Sequence, residues 1–291
     1  MITKTKCSIC DGSVEEIVDL GKCPPANNFV KKKNEMVNSY PLIVDFCNKC
    51  SCIQLRHCLS KNELYSYYTY STPKIDSLAD HYANLLKKLK KLGYAKKKQS
   101  CIEIGSNNGN LLKFLQPNFH KVLGVDPAAN IAKIARNNGV ETIIEFFSND
   151  VADQISNEYN NFNVAIARHM FAHNEDPGEL LSAMDKILDE NGVFIIENAY
   201  AIDTFKNGEF DQIYHEHMFY FSALNITALM DKFDFELIDF EHAPVHGGSG
   251  VFICGKKGKH EIQRSVKDIL EKEQEAFGDK KIFDNFKEKI E

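Results

Sequence analysis

The stretch Glu103-Ile104-Gly105-Ser106-Asn107-Asn108-Gly109, preceded by the apolar Ser100-Cys101-Ile102, constrains this chain most. It predicts a buried strand that ends in a carboxylate, turns tightly on glycine and enters a helix at Asn110. Gly105 and Gly109 let the backbone approach a ligand where a Cβ would collide. Asn107 stands where a further glycine would be expected, and asparagine visits left-handed conformations more readily than most residues. A second acid, Asp126, ends the next apolar run, Val122-Leu123-Gly124-Val125. Two acids capping consecutive parallel strands suit a nucleoside ligand: one accepts from an ammonium group, the other from ribose hydroxyls.

A dinucleotide site would need G-x-G-x-x-G, but Asn107 and Asn110 occupy the second and third glycine positions. The pattern acid-x-Gly-x-x-x-Gly instead resembles motif I of the class I S-adenosylmethionine (SAM) methyltransferases. That resemblance implies a cofactor site over Glu103, Gly105, Asn107, Asn108, Gly109 and Asp126.

Two C-x-x-C knuckles, Cys7/Cys10 and Cys47/Cys50, come earlier. Each offers two thiolates in a tight turn, and together they predict a tetrahedral Cys₄ zinc site. No βαβ pattern flanks either pair, which disfavours redox chemistry. Four thiolates leave no open position for water, so the zinc is expected to be structural. Cys23, Cys52 and Cys58 lie nearby without completing a better pair. The start has no apolar signal region and no run reaches membrane-spanning length. The nine cysteines are therefore expected as thiols or metal ligands in a reducing cytoplasm. A net charge of −6 disfavours a general nucleic-acid surface.

A tyrosine-dense stretch from Tyr65 to Tyr70 could wall a substrate or simply pack its rings. Beyond residue 75, Leu78, Tyr82, Leu85, Leu86, Leu89 and Leu92 recur at helical spacing, and Gly93 is a natural stop. Strands are then expected at 100–104, 121–125, 141–146, 162–167 and 192–197, with helices at 109–115, 130–137, 151–155 and 177–188. This alternation implies a doubly wound parallel α/β sheet, with ligands at the carboxyl ends of its strands. Glu103, Asp126, Phe147, Arg168 and Asn198 fall at or just past those ends. Phe147 can pack on an adenine or into the core, and Arg168-His169 can line a pocket mouth.

An insertion at 200–222 carries Gln212-Ile213-Tyr214-His215-Glu216-His217. The histidines are two apart, wrong for helical chelation, so acid–base work is the better reading. A helix there would put Tyr214 and His217 on one face. Two further strands flank His246-Gly247-Gly248-Ser249-Gly250, a turn that either approaches a ligand or simply closes a hairpin. The tail from Glu261 is amphipathic and helical, and needs a surface to pack on.

In this order the motifs resemble the sugar C-methyltransferases of deoxysugar biosynthesis, from Cys7 to about Ser249. That family combines an N-terminal Cys₄ zinc domain, a SAM domain, an I-Y-H-E-H insertion and an H-G-G-S turn. The resemblance implies a class I SAM-methyltransferase (Rossmann-like) fold with a small zinc-binding domain, here residues 1–70, 71–258 and a helical tail 259–291. It implies SAM and structural zinc as cofactors, a nucleotide-linked 4-keto-deoxysugar as substrate, and methylation at carbon 3 through an enolate. His217 matches the family's proton-abstracting base, with Tyr214 and Glu216 beside it, and Tyr70 matches the tyrosine of its Y-x-Y segment. Two departures stand out. A basic residue usually follows H-G-G-S, where this chain has Gly250, Val251 and Phe252. The family also usually adds a C-terminal domain that would cover the substrate cleft, and this sequence ends at Glu291. Sugar O-methylation by the same base, or a non-catalytic zinc- and SAM-binding protein, are the competing readings. Oligomeric state is not legible.

Overall fold

The computed structural model describes every residue except 28, 31, 33, 62, 63, 65–70, 74, 75 and 291. Residues 1–58 form β1 (Ile2–Thr3), β2 (Glu15–Cys23), β3 (Tyr40–Phe46), β4 (Ile53–Leu55) and β5 (His57–Cys58). Next comes α1 (Asp76–Lys91), which buries Leu78, Tyr82, Leu85 and Leu89 along one stripe and carries Lys88, Lys90 and Lys91 in its last turn. That basic end complements the helix dipole. Gly93, with φ at +88°, terminates it as the sequence predicts, and the Tyr94 N–H reaches back to the Leu89 carbonyl in a Schellman closure.

The alternating region follows as β6 (Ser100–Ile104), α2 (Asn110–Leu115), β7 (Lys121–Val125), α3 (Ala129–Asn137), β8 (Thr142–Ile143), α4 (Asn149–Glu158), β9 (Phe162–Arg168), α5 (Pro177–Ile187) and β10 (Leu188–Ala199). It continues with α6 (Ala201–Asn207), β11 (Phe219–Tyr220), α7 (Ala223–Asp231), β12 (Phe235–Ala243), β13 (Ser249–Lys256), α8 (Arg264–Gly278) and α9 (Lys281–Ile290). The large sheet runs β12-β13-β10-β9-β6-β7-β8, with β13 antiparallel to both of its neighbours and the other strands parallel. This is the strand order of class I SAM methyltransferases. The direction of winding reverses between β6 and β9, which opens a crevice at their carboxyl ends.

Side chains alternate across these strands, and the interior divides accordingly. Val164, Ile166, Val193 and Ile195 pack with α1 and α2 on one face, while Ala165, Ala167, Phe194 and Ile196 join the core of the other face. Only two of the six residues predicted as the third strand pair in the sheet: β8 is an edge strand, and Phe146 and Phe147 leave it for the crevice.

The insertion departs from a simple loop. Its strand β11 pairs antiparallel with β4, Phe219 opposite Gln54 and Tyr220 opposite Ile53, so the small sheet runs β11-β4-β3-β2. The amphipathic tail finds its surface in the same place. Phe283 lies fully buried 5.1 Å (ring centroids) from both Phe46 of the small sheet and Phe205 of α6. Buried Glu273 of α8 accepts from the Tyr200 hydroxyl at 2.7 Å and from the Ala223 and Leu224 N–H groups at 2.8 Å, closing the first turn of α7. Among the described residues no helix is long and apolar enough to cross a membrane.

Candidate active site

The Sγ atoms of Cys7, Cys10, Cys47 and Cys50 all lie within 4.8 Å of one another. Tetrahedral zinc at about 2.3 Å from each sulfur requires S···S edges of about 3.8 Å, so the cluster fits the ion. The two knuckles are built alike. Asp11 and Ser51, each four residues after a first cysteine, take left-handed backbones at φ +57° and +56°. Each sends its N–H back to that cysteine's carbonyl, at 3.0 and 2.9 Å. Cys23, Cys52 and Cys58 lie outside the cluster.

A cavity of about 390 Å³ opens at the strand ends of the large sheet. Gly105 and Asn107 form one wall, with positive φ at both. A Cβ on Gly105 would stand 2.7 Å from Met170 Cγ, so the backbone here packs directly against the Met170 side chain. Asp126 lines the cavity and accepts from the Asn107 N–H at 2.8 Å and the Ala128 N–H at 2.9 Å, one on each oxygen. Each oxygen keeps capacity to accept a further hydrogen bond. Phe147 and the more exposed Phe146 lie beside it.

Three of the predicted cofactor residues lie behind this wall. Glu103 accepts a hydrogen bond from Arg168 Nε at 3.1 Å and ion-pairs with its Nη2 at 3.1 Å, and it is Arg168 that lines the cavity. Burial pushes the Glu103 carboxyl up to about 7 against the pull of Arg168. Asn108 ties the turn to residues 71–72 through Ser71 Oγ at 3.0 Å and the Thr72 carbonyl at 2.8 Å. Gly109 allows tight packing, since a Cβ there would come within 3.1 Å of Ala135 and 3.2 Å of Val140.

The insertion reaches the same cavity with Gln212, Tyr214, Glu216 and His217. Residues 214–217 form a turn and not the helix considered from the sequence. The His217 N–H closes on the Tyr214 carbonyl at 3.0 Å, and the two side chains still meet because the turn also pairs i with i+3. His217 Nδ1 lies 2.9 Å from the Gln212 carbonyl, which assigns the ring proton to Nδ1 and leaves Nε2 as the acceptor, 2.7 Å from the Tyr214 hydroxyl. Burial holds the His217 imidazole down at about 4, so it is neutral at pH 7. Buried Glu216 accepts from Asn27 at 2.5 Å, and Asn27 lines the cavity from the zinc-bearing segment. His215 points away, fully buried against the Tyr40 carbonyl. Tyr70 lies outside the described residues.

Several cavity residues were not assigned roles from sequence. His173, in the short turn after β9, has its ring 5.2 Å from that of His217, tilted at 46°, and is held well below its ordinary range by burial. Its signal was a second histidine soon after a strand end. His169, expected at a pocket mouth, and His246, in the turn expected either to approach a ligand or to close a hairpin, also line the cavity, their rings 4.4 Å apart.

Residues 77–239 match a family described as a methyltransferase domain, and residues 7–65 match a family of zinc binding domains. The chain is 31% identical over 262 residues to the C-methyltransferase NovU of Streptomyces niveus, covering 89% of this chain and 62% of that protein. The chain thus spans under two thirds of its curated relative. Among solved structures, a SAM-dependent methyltransferase from Anabaena variabilis superposes with a TM-score of 0.48 at 16% identity, covering 69% of this chain and all of the other. Magnesium protoporphyrin IX methyltransferase from Synechocystis gives 0.48 at 13% identity, covering 65% and 91%.

Proposed function

Because this chain belongs to the methyltransferase-domain family, as a SAM-dependent methyltransferase with an N-terminal zinc-binding domain, we propose that it C-methylates a nucleotide-linked 4-keto-deoxysugar through an enolate formed by His217. The observation that carries this reading is the Tyr214–His217 pair set into the same cavity as the Gly105–Asp126 wall.

SAM, when bound, supplies an electrophilic methyl group. Asp126 would hold its ribose hydroxyls, Phe147 its adenine, and Arg168 its carboxylate. Glu103 acts through Arg168, fixing the guanidinium by two contacts to one oxygen. His217 does the proton chemistry. Its Nδ1–H is committed to Gln212, so the proton next to the acceptor's ketone goes to Nε2. The Tyr214 hydroxyl keeps that nitrogen directed into the cavity until the acceptor displaces it, then donates to an acceptor oxygen. Glu216 and Asn27 bind acceptor hydroxyls at the zinc-bearing edge. Zinc serves by holding that edge in place and takes no part in the reaction.

The test is mass spectrometry after incubation with SAM and a panel of nucleotide 4-keto-deoxysugars. One added methyl group is expected, preceded by solvent deuterium exchange at carbon 3. His217→Ala is expected to abolish the exchange and to lower kcat by about 10²–10⁴-fold. Methylation of a hydroxyl, or no product while SAM still binds, would reject the keto-sugar assignment.

A further inference from the structure

The turn between β12 and β13 is fixed far more firmly than a hairpin connection needs. His246, Gly247 and Gly248 all have positive φ, at +52°, +81° and +128°. The Tyr200 N–H donates to the Gly248 carbonyl at 3.0 Å, and Ser249 Oγ donates to the Val245 carbonyl at 3.0 Å. A Cβ on Gly247 would strike Glu209, and one on Gly248 would strike Asp203, so α6 and the residues after it press on the turn from outside. The result is an imidazole delivered into the cavity on a strained backbone, an arrangement that clusters at functional sites.

Beside His246, and also lining the cavity, stands a second imidazole that is itself anchored. His169 also has positive φ, at +50°, and its ring meets the His246 ring at 4.4 Å and 68°. His169 Nε2 lies 3.3 Å from Glu197 Oε1, within ion-pair distance though not aligned as a hydrogen bond. The other Glu197 oxygen contacts His81 Nε2 at 2.9 Å. Burial alone would raise the Glu197 carboxyl, but His169, His81 and Arg168 together bring it well below its ordinary range. A buried carboxylate braced by two histidines has no part in the proton transfer described above.

Topology says which ligand this apparatus faces. Gly105, Asp126 and Phe147 follow β6, β7 and β8, on one side of the crevice between β6 and β9. His169 directly follows β9, Glu197 lies on β10 and His246 sits in the β12–β13 turn, all from the strands on the other side. The insertion carrying His217 follows β10 in the chain and lines the same cavity. Apart from Arg168 at the end of β9, given above to the SAM carboxylate, the second side is left to the acceptor.

We propose that His246, braced by His169 on the buried carboxylate of Glu197, donates the hydrogen bond that stabilises the acceptor's enolate oxygen. This rests on the keto-sugar reading. As the C–H bond breaks, the proton forms an N–H bond at His217 Nε2, its electron pair becomes the C3–C4 π bond and the carbonyl π pair moves onto the former ketone oxygen, to which an imidazole N–H of His246 donates a hydrogen bond. Although His246 is an exposed residue, desolvation by the protein around it, and then the field of His169, hold it down at about 4, so at pH 7 it offers this N–H as a neutral ring. His169 is the positioning residue.

The experiment compares His246→Gly, which relaxes the backbone and removes the donor, with His246→Gln, which restores an N–H near the position of Nε2. The probe is whichever nucleotide 4-keto-deoxysugar the wild type methylates. His246→Gly is expected to lower kcat and the rate of carbon-3 deuterium exchange by about 10²–10³-fold, the usual effect of losing one oxyanion donor. The Kd for SAM should stay unchanged, and His246→Gln should recover at least about tenfold of the loss. A glycine variant within about threefold of wild type overturns the proposal. So does a glutamine variant no better than glycine, or a loss of SAM affinity matching the loss of rate. Wild type that neither exchanges nor methylates any keto-sugar while binding SAM overturns the acceptor reading itself, and this proposal with it.

Discussion

His217→Asn should flatten the dependence of stability on pH. In the folded protein the imidazole is held at about 4 against an ordinary 6.5. Between those values the unfolded chain takes up a proton that the native state refuses, so the stability of the fold is full above pH 6.5 and declines as pH falls toward 4. A difference of about 2.5 units at about 1.36 kcal/mol each gives a full linkage of about 3.4 kcal/mol. About 2 kcal/mol of it is lost between about pH 7 and pH 5. Urea unfolding of wild type and His217→Asn at several pH values in that range measures the term directly. His173 and His215 are also lowered by burial and contribute to both proteins, so the difference between the two curves is the quantity to read. The two proteins should converge in relative stability by about 2 kcal/mol on acidification. Parallel curves would refute burial as the cause of this imidazole's lowered protonation. The same shift keeps Nε2 ready to accept a proton at neutral pH.

Removing zinc with a strong chelator should release the insertion as well as the knuckles, because β11 is a strand of the zinc-bearing sheet. Increased proteolysis within residues 209–222 checks it, and an unchanged cleavage pattern there would count against it. Gly105→Ala places a Cβ 2.7 Å from Met170 on a backbone at φ +70°. SAM affinity measured by calorimetry should fall at least about tenfold, given about 1–2 kcal/mol for the left-handed backbone alone. Phe283→Ala should destabilise the protein by about 3–5 kcal/mol in urea unfolding, since its ring is fully buried between two other aromatic rings.

Much of this was legible in the chain. Strands at Ser100–Ile104 and Lys121–Val125 were predicted to the residue, because both are short, apolar and bounded by turn residues. The cysteine cluster followed from spacing, since two C-x-x-C knuckles constrain geometry without reference to the rest of the fold. The third strand was overextended because Ile144 and Phe146 continue the β-forming residues Thr142 and Ile143, and only tertiary context shows that Phe146 leaves the sheet for the cavity. The pairing of β11 with β4 was illegible for a different reason: Phe219 and Tyr220 lie far along the chain from Gln54, and two residues carry no periodicity. Glu103 was assigned to the ligand because its position at a strand end is visible in sequence, whereas its engagement by Arg168 is not. Tyr70 falls outside the described residues.

The pairing of β11 with β4 also bears on how the protein is made. Ribosomes deliver chains from the N-terminus, and the knuckles with β2, β3 and β4 emerge well before residue 219. Until Phe219 and Tyr220 arrive, β4, whose residues Ile53, Gln54 and Leu55 are fully buried in the finished protein, presents an open edge able to pair with another chain. Asn225, which donates to the Ser51 carbonyl at 3.2 Å, seals that edge next to the second knuckle only after the large sheet's fifth strand has been synthesised. The zinc-bearing segment is therefore a late-maturing part of an early-emerging sequence. Truncations that end before residue 219 should aggregate even when supplied with zinc.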